Sequence, residues 1–385
     1  MTQTPQLSVE GTSIVDRGAA VQIRWSNGET ARFHGFWLRD NAQDTRTRDP
    51  GNGQRLLSMS DLDTAARVTQ VNRDGETLLF ELSDDGPPLR FDSDWLLARR
   101  YDRSGTNRTG WVDDRIRLWG SDTPHAVLKA TFASLAQDKR ALLSWLKAFR
   151  ANGVALSANG PQRKGAVEEM VSWFGFVKET NYGRTFDVRS VAEPTNLAFS
   201  NQGLLPHTDN PYRDPQPTLQ LLYCIENSAD GGDSIVVDGF QVATALRDED
   251  PDAFLLLTRY CARFEYFGSQ NVYLNSRVPL IELTADGELR AVRMNNRSAA
   301  ATLDVPFDFM TEYYRAYAKF ESMLSESRFA QIFSLAPGDC FMVDNTRVLH
   351  SRTGFASGGS RWLEGCYADR DGLYSKLAVL EKEVA

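Results

Sequence analysis

The sequence predicts a mostly β protein with flanking helices, divided into a small N-terminal β domain and a larger double-stranded β-helix, or jelly-roll, domain. Three observations carry this prediction. Short runs alternating apolar and polar residues occupy the first hundred positions, as in Val21-Gln22-Ile23-Arg24-Trp25 followed by the hairpin dipeptide Asn27-Gly28. From about Pro124 the texture changes to apolar positions three and four apart, the mark of amphipathic helices. Strand-like text then dominates to near the C-terminus, and paired strands with helices packed outside suit an antiparallel double-sheet barrel.

Taken in order, residues 1–102 read as the small β domain. Strands are expected at 21–25, 32–39 and 77–82, and Asp84-Asp85-Gly86-Pro87-Pro88 is a strong breaker. Residues 103–123 begin with a polar stretch and read as a linker, leaving 124–385 for the larger domain. There, helices are expected over 125–151 and 164–178, then strands at 217–224 and 233–238 on either side of Gly231-Gly232. Two further helices are expected at roughly 240–258 and 308–326, and closing strands at 338–344 and 361–367.

Composition narrows the function classes. With 385 residues, 42% hydrophobic and 24% charged, the chain is that of a soluble globular protein with two domains. No apolar run approaches the ~20 residues of a membrane span. The N-terminus lacks the basic start and apolar core of a signal peptide, so a cytoplasmic location is expected. Cys224, Cys261, Cys340 and Cys366 are scattered and read as buried reduced thiols. A net charge of −8 with no basic block argues against nucleic acid as a partner.

Only four histidines occur. His207 stands in Pro206-His207-Thr208-Asp209-Asn210, where one-residue spacing puts His207 and Asp209 on the same side of an extended strand. His350, far along the chain, would complete two histidines and one carboxylate on one face of an octahedral ion. That is the donor set of non-haem Fe(II) oxygenases, and it leaves the opposite face open for a co-substrate and O2. A hydrogen-bonded His–Asp couple is the structural alternative, and His34 and His125 are read as structural residues. Arg361, on the next strand-like segment, has two roles open to it. It could grip the far carboxylate of a dicarboxylate such as 2-oxoglutarate bidentately, or form a structural salt bridge.

These runs, with Leu219-Gln220-Leu221-Leu222-Tyr223-Cys224, Gly231-Gly232-Asp233-Ser234 and Arg361-Trp362-Leu363-Glu364-Gly365-Cys366-Tyr367, resemble one family. It is the γ-butyrobetaine hydroxylase and trimethyllysine dioxygenase branch of the taurine-dioxygenase-like oxygenases. Phe36-Trp37-Leu38-Arg39-Asp40-Asn41 is similar to that branch's N-terminal β domain, so the resemblance covers nearly the whole chain. It implies iron ligands at His207, Asp209 and His350, with 2-oxoglutarate held by Arg361. It further implies O2 as co-substrate, ascorbate as an activity-sustaining reductant, and a homodimer. The matching substrate positions are Asn196 and the trimethylammonium cage of Tyr182, Phe186, Phe199 and Tyr367. A quaternary ammonium donates no hydrogen bond, so aromatic faces suit it, at about 0.5–2 kcal/mol each. Any one of these aromatics alone reads more readily as core, but four of them at matching positions favour the cage.

Three departures from the family pattern bear on function. Asn41 is followed by Ala42-Gln43-Asp44-Thr45-Arg46-Thr47, with no cysteine before Cys224, so the family's thiolate zinc site cannot form in the N-terminal domain. Asn210 follows the metal carboxylate where γ-butyrobetaine hydroxylases often carry an aromatic residue. The segment containing Asn295, Asn296 and Arg297 resembles the family's asparagine pair near the substrate's acid group, with an additional arginine. An arginine with extra amide donors suits a phosphonate; a surface ion pair is the bland role for Arg297. The expected reaction is therefore hydroxylation of 2-(trimethylamino)ethylphosphonate to its 1-hydroxy product, a step of phosphonate catabolism releasing succinate and CO2. Conversion of γ-butyrobetaine to L-carnitine is the alternative. A halogenase would lack Asp209, and a non-catalytic metal-binding scaffold would release no substrate-dependent succinate.

Overall fold

The alternating text of the first hundred residues folds into two antiparallel sheets. Strands β1 (Val9–Val15), β2 (Ala20–Trp25) and β3 (Thr30–His34) make one, and β4 (Val68–Asp74), β5 (Thr77–Leu82) and β6 (Leu89–Asp92) the other. The computed structural model describes residues 7–84, 86–102, 109–123, 127–189, 203–229, 231–269, 271–354 and 359–384. The chain divides into two compact units, Met1–Thr106 and Asn107–Ala385.

In the first unit the alternation sorts the faces. Val21, Ile23, Trp25, Phe33, Leu78 and Phe80 are buried in one cluster while Arg24 is exposed. The indole of Trp25 donates to Ser93 Oγ at 3.1 Å, at the start of the helix Ser93–Ala98. The strand expected over 32–39 stops at His34, and the chain coils into a helix, Gly35–Asn41. Gly35 lies so close to the Ala66 carbonyl that a Cβ would stand 3.1 Å from it, and coiling beyond this point carries Leu38 into the core. Where the family's cysteines are missing, Asp44 ties the loop together. Its Oδ1 accepts from the Arg46 and Thr47 N–H groups and the Thr47 hydroxyl at 2.8–3.1 Å, and its Oδ2 from Arg39 at 3.2 Å. Burial alone would raise the Asp44 carboxyl, but these bonds and the Arg39 charge hold it below the usual range.

In the second unit the strands are β7 (Leu128–Thr131), β8 (Val154–Ala158), β9 (Phe186–Arg189), β10 (Leu204–His207), β11 (Leu219–Asn227) and β12 (Ser234–Asp238). They continue with β13 (Cys261–Ser269), β14 (Val272–Pro279), β15 (Ile281–Leu283), β16 (Leu289–Val292), β17 (Ala330–Phe333), β18 (Cys340–Asp344), β19 (Val348–Arg352) and β20 (Arg361–Ala368). One sheet runs β7-β8-β18-β11-β20-β9 and the other β10-β19-β12-β17. Their inner faces meet in a core that includes Leu156, Leu222, Val236, Phe341, Val348 and Leu363, giving the expected jelly roll. Outside, the helices Lys139–Asn152 and Arg370–Val384 pack on the six-stranded sheet, so β18 is buried along its whole length. The helices Gly239–Glu249, Pro251–Arg259 and Met310–Leu324 share a second cluster with Val237 and Leu349 of the smaller sheet.

Several sequence expectations shift here. The helical run expected from 125 begins instead with β7, which pairs in parallel with β8 at the sheet edge. The helix expected over 240–258 breaks at Asp250-Pro251, because proline offers no N–H to continue the ladder and instead opens the second helix, capped by Asp250. The second half of the expected linker is packed into this unit. Trp119 is buried, with its indole N–H on the Asn152 carbonyl at 2.7 Å and its backbone N–H on Asp238 Oδ2 at 3.2 Å. Among the described residues no helix is long and apolar enough to cross a membrane.

Candidate active site

His207 closes β10 and faces His350 directly across the β10–β19 ladder. Thr208 turns away, its N–H on the Met294 carbonyl at 2.8 Å, so Asp209 returns to the side of His207 even though the strand has ended. His207 Nε2 lies 3.5 Å and His350 Nε2 3.9 Å from Asp209 Oδ1, and the three ligand atoms fall within 4.8 Å of one another.

Two of the three donors are held from behind, while His350 Nδ1 is buried with no partner among the described residues. His207 Nδ1 lies 2.8 Å from the Leu205 carbonyl, which assigns the proton to that nitrogen and leaves a lone pair on Nε2. Asp209 Oδ2 accepts from Gln220 Nε2 at 2.6 Å and from the Tyr367 hydroxyl at 2.7 Å, while Oδ1 faces the imidazoles. Asn345, between β18 and β19, accepts the Asp209 N–H at 2.7 Å and donates to the Asp209 carbonyl at 2.9 Å. Burial and the neighbouring His207 push His350 down to about 3, so it is neutral near pH 7. Burial would raise Asp209, but its hydrogen bond with His207 and the fields of His350, His207 and Arg297 hold it well below the carboxylate range. A carboxylate oxygen with two imidazoles fits a divalent ion of the Fe(II) type and lacks the thiolates of a structural zinc site.

These donors open onto a cavity of about 380 Å³. Its charged wall holds Arg297, Arg352 and Arg361. Arg352 is pushed down to about 10 by burial and by the like charges of Arg361 and Arg297, a setting that favours an anionic ligand. Its aromatic wall is a connected set. Ring centroids are 5.0 Å apart for Phe186 and Tyr367, 6.3 Å for Tyr182 and Phe186, 5.9 Å for Tyr182 and Tyr266, and 5.0 Å for Tyr212 and Tyr266. Gly365 makes room for this wall: it pairs with Phe186 across β20 and β9, and a Cβ there would overlap the Phe186 ring. The Tyr182 and Tyr212 hydroxyls are 2.8 Å apart, and Tyr212 donates to Asn210 Oδ1 at 2.5 Å. Asn210 adopts φ 52°, which asparagine tolerates, and its Nδ2 is buried with no partner among the described residues.

Of the residues singled out in the sequence, His207, Asp209, His350, Arg361, Tyr182, Phe186, Asn210, Asn295, Arg297 and Tyr367 all line this cavity. Asn295 spends its amide on structure, donating to the Thr208 carbonyl at 3.0 Å and accepting the Arg297 N–H at 3.2 Å. Asn296 does not line it. The turn Asn296–Ser298 that Asn295 caps leaves Asn296 exposed, which corrects its expected substrate contact. Asn196, Phe199 and His125 lie outside the described residues. Sequence reading missed Gln220, Tyr212, Tyr266, Arg352 and Asn345. Arg352 alone carried a local signal, standing two residues from His350 on the same face of β19.

Comparison with known proteins agrees with this geometry over most of the chain. Residues 120–367 match the taurine catabolism dioxygenase TauD, TfdA family, and residues 13–96 match the gamma-butyrobetaine hydroxylase-like N-terminal family. Gamma-butyrobetaine dioxygenase of Pseudomonas sp. (strain AK-1) is 33% identical over 369 residues, 94% of either chain. The Homo sapiens protein of that name is 28% identical over 384 residues, 98% of either chain. Mitochondrial trimethyllysine dioxygenase of Mus musculus is 28% identical over 359 residues, 92% of this chain and 84% of that one.

Proposed function

The chain belongs to the taurine catabolism dioxygenase TauD, TfdA family, and on that premise we propose that it hydroxylates 2-(trimethylamino)ethylphosphonate at its 1-position. Fe(II) at the three donors, with 2-oxoglutarate and O2, supplies the oxidation: the co-substrate leaves as succinate and CO2, and one oxygen atom enters a substrate C–H bond. His207, Asp209 and His350 hold the metal. Arg361, buried and planar, takes the remote carboxylate of 2-oxoglutarate through its paired N–H donors. Tyr182, Phe186 and Tyr367 turn ring faces to the trimethylammonium group. With both ends of a short substrate fixed, one C–H bond is presented to the metal, which sets the regiochemistry.

The phosphonate reading is carried by Arg297. It lines the cavity, and its charge is felt at both Asp209 and His350. Asn210 lines the same cavity, and its Nδ2 has no partner among the described residues. A phosphonate brings more charge and one more acceptor oxygen than a carboxylate, which suits a guanidinium together with an amide. The second reading, γ-butyrobetaine hydroxylation to L-carnitine, is favoured by the 33% identity to the Pseudomonas relative of that name.

Succinate release measured with both substrates separates them. The wild type is expected to prefer the phosphonate. Arg297→Ala is expected to lower its kcat/KM by roughly 10- to 100-fold, the loss of a charge-assisted bond of about 1.5–3 kcal/mol, while changing γ-butyrobetaine turnover far less. A wild-type preference for γ-butyrobetaine that survives Arg297→Ala would establish the second reading. Iron binding without succinate release on either substrate would mark a scaffold.

A further inference from the structure

We propose that Gln220 and Tyr367 form a paired positioning device that holds Asp209 as a one-oxygen metal ligand, so that Tyr367 serves the metal through its hydroxyl and the substrate through its ring. The inference rests on reading His207, Asp209 and His350 as a metal site. Gln220 on β11 and Tyr367 on β20 are direct cross-strand partners in an antiparallel ladder. Such partners project on the same face with neighbouring Cβ atoms, so the two side chains reach one target together. That target is Asp209 Oδ2, at 2.6 Å from Gln220 Nε2 and 2.7 Å from the Tyr367 hydroxyl. Both residues are buried, at 2% and 4% exposure, so neither bond is shared with bulk water. The amide of Gln220 has one sensible orientation: the flipped form would set its carbonyl oxygen against a carboxylate.

The consequence is a fixed denticity. A carboxylate free to rotate can chelate an ion with both oxygens, as calcium sites show, and would then occupy a position that the open face must keep for other ligands. With Oδ2 engaged by two donors, only Oδ1 is left toward the imidazoles, at 3.5 and 3.9 Å from their Nε2 atoms. The ring of Tyr367 meanwhile packs in the aromatic wall, tilted against Phe186 at 5.0 Å. Hydroxyl and ring thus face different ligands, and they can be separated by mutation.

Tyr367→Phe removes the hydroxyl and keeps the ring, and Gln220→Leu removes the amide at similar volume. Titration of the metal-free full chain with Co(II), followed by visible absorption, reads metal affinity and coordination directly. Each variant is expected to raise the Co(II) dissociation constant by about tenfold and to change the Co(II) spectrum, the usual scale for losing a partner of a metal ligand. The substrate KM of Tyr367→Phe is expected to stay within about twofold, because a phenyl face still meets the cation. Unchanged Co(II) affinity and spectrum in both variants would overturn the proposal, as would a raised substrate KM in Tyr367→Phe with metal binding intact. A wild type that binds no Co(II) would instead overturn the metal-site reading beneath it. If Gln220→Leu fails to fold, Tyr367→Phe, which deletes a single oxygen, carries the test alone.

Discussion

Gly365→Ala tests the aromatic wall without touching any side chain in it. A Cβ at this position would overlap Cε2 and Cζ of Phe186 and stand 3.0 Å from Leu222 Cδ2. Leu222 is packed in the core between the sheets and gives little, so the Phe186 ring must retreat by about 1 Å to regain van der Waals separation. Its tilted contacts with Tyr367, at 5.0 Å, and with Tyr182, at 6.3 Å, are then disturbed together. One cation–π face is worth about 0.5–2 kcal/mol, so losing it raises the substrate KM by roughly 2- to 30-fold. Overpacking of this kind also costs about 1–3 kcal/mol of stability. Succinate release against substrate concentration reads the first effect, and a melting curve the second. The KM for 2-oxoglutarate should hold, because Arg361 stands four residues away at the start of β20. A substrate KM equal to that of the wild type, with the melting temperature lowered, would refute the placement of Phe186 in the substrate wall.

Two further outcomes follow from the same site. Arg361→Ala, which empties a buried position on the cavity, should raise the KM for 2-oxoglutarate by 30-fold or more, on the order of 2–5 kcal/mol for removing one partner of a buried charge pair. Arg361→Lys, which keeps the charge and loses the fork, should recover only part of this; a co-substrate KM unmoved in Arg361→Ala would assign that arginine a structural role. His350 titrates near 3 when folded, through burial and its neighbour His207, against an ordinary value of 6.5. The unfolded chain therefore binds the extra proton first, so the metal-free protein should lose stability as pH falls from about 6.5 toward 3. Urea midpoints should decline over that window in the wild type and decline less in His350→Gln; equal slopes would contradict a neutral buried His350.

Legibility in the sequence followed the range of the signal. Val21-Gln22-Ile23-Arg24-Trp25 announced its strand because alternation is a local property, and β5 matched its expected span, Thr77–Leu82, for the same reason. Gly35–Arg39 read as strand because its coiling is imposed by contact with Ala66, thirty-one positions from Gly35. Trp119 stood in the stretch read as a linker, and its burial against Asn152 and Asp238 reveals that this stretch belongs to the larger unit. Tyr212 and Tyr266 carried no local signal and were not singled out in the sequence. Their stacking at 5.0 Å arises because β13 carries Tyr266 back over the turn that follows Asp209.

The sequence by itself determined the chemistry available: two imidazoles and a carboxylate, an arginine beyond the second histidine, and a set of aromatics. Residue type and the one-residue spacing of His207 and Asp209 give the donor types, while the roles of the arginine and the aromatics rest on the resemblance to the oxygenase family. Only the tertiary structure decided which atoms meet. It put His207 opposite His350 and Gln220 opposite Tyr367, and it moved Asn296 out of the cavity while keeping Arg297 in it. The physical reason is strand register, which is set by long-range packing. A slip of one residue turns a side chain to the opposite face of its sheet, and with it would go either a metal ligand or the partner that orients it.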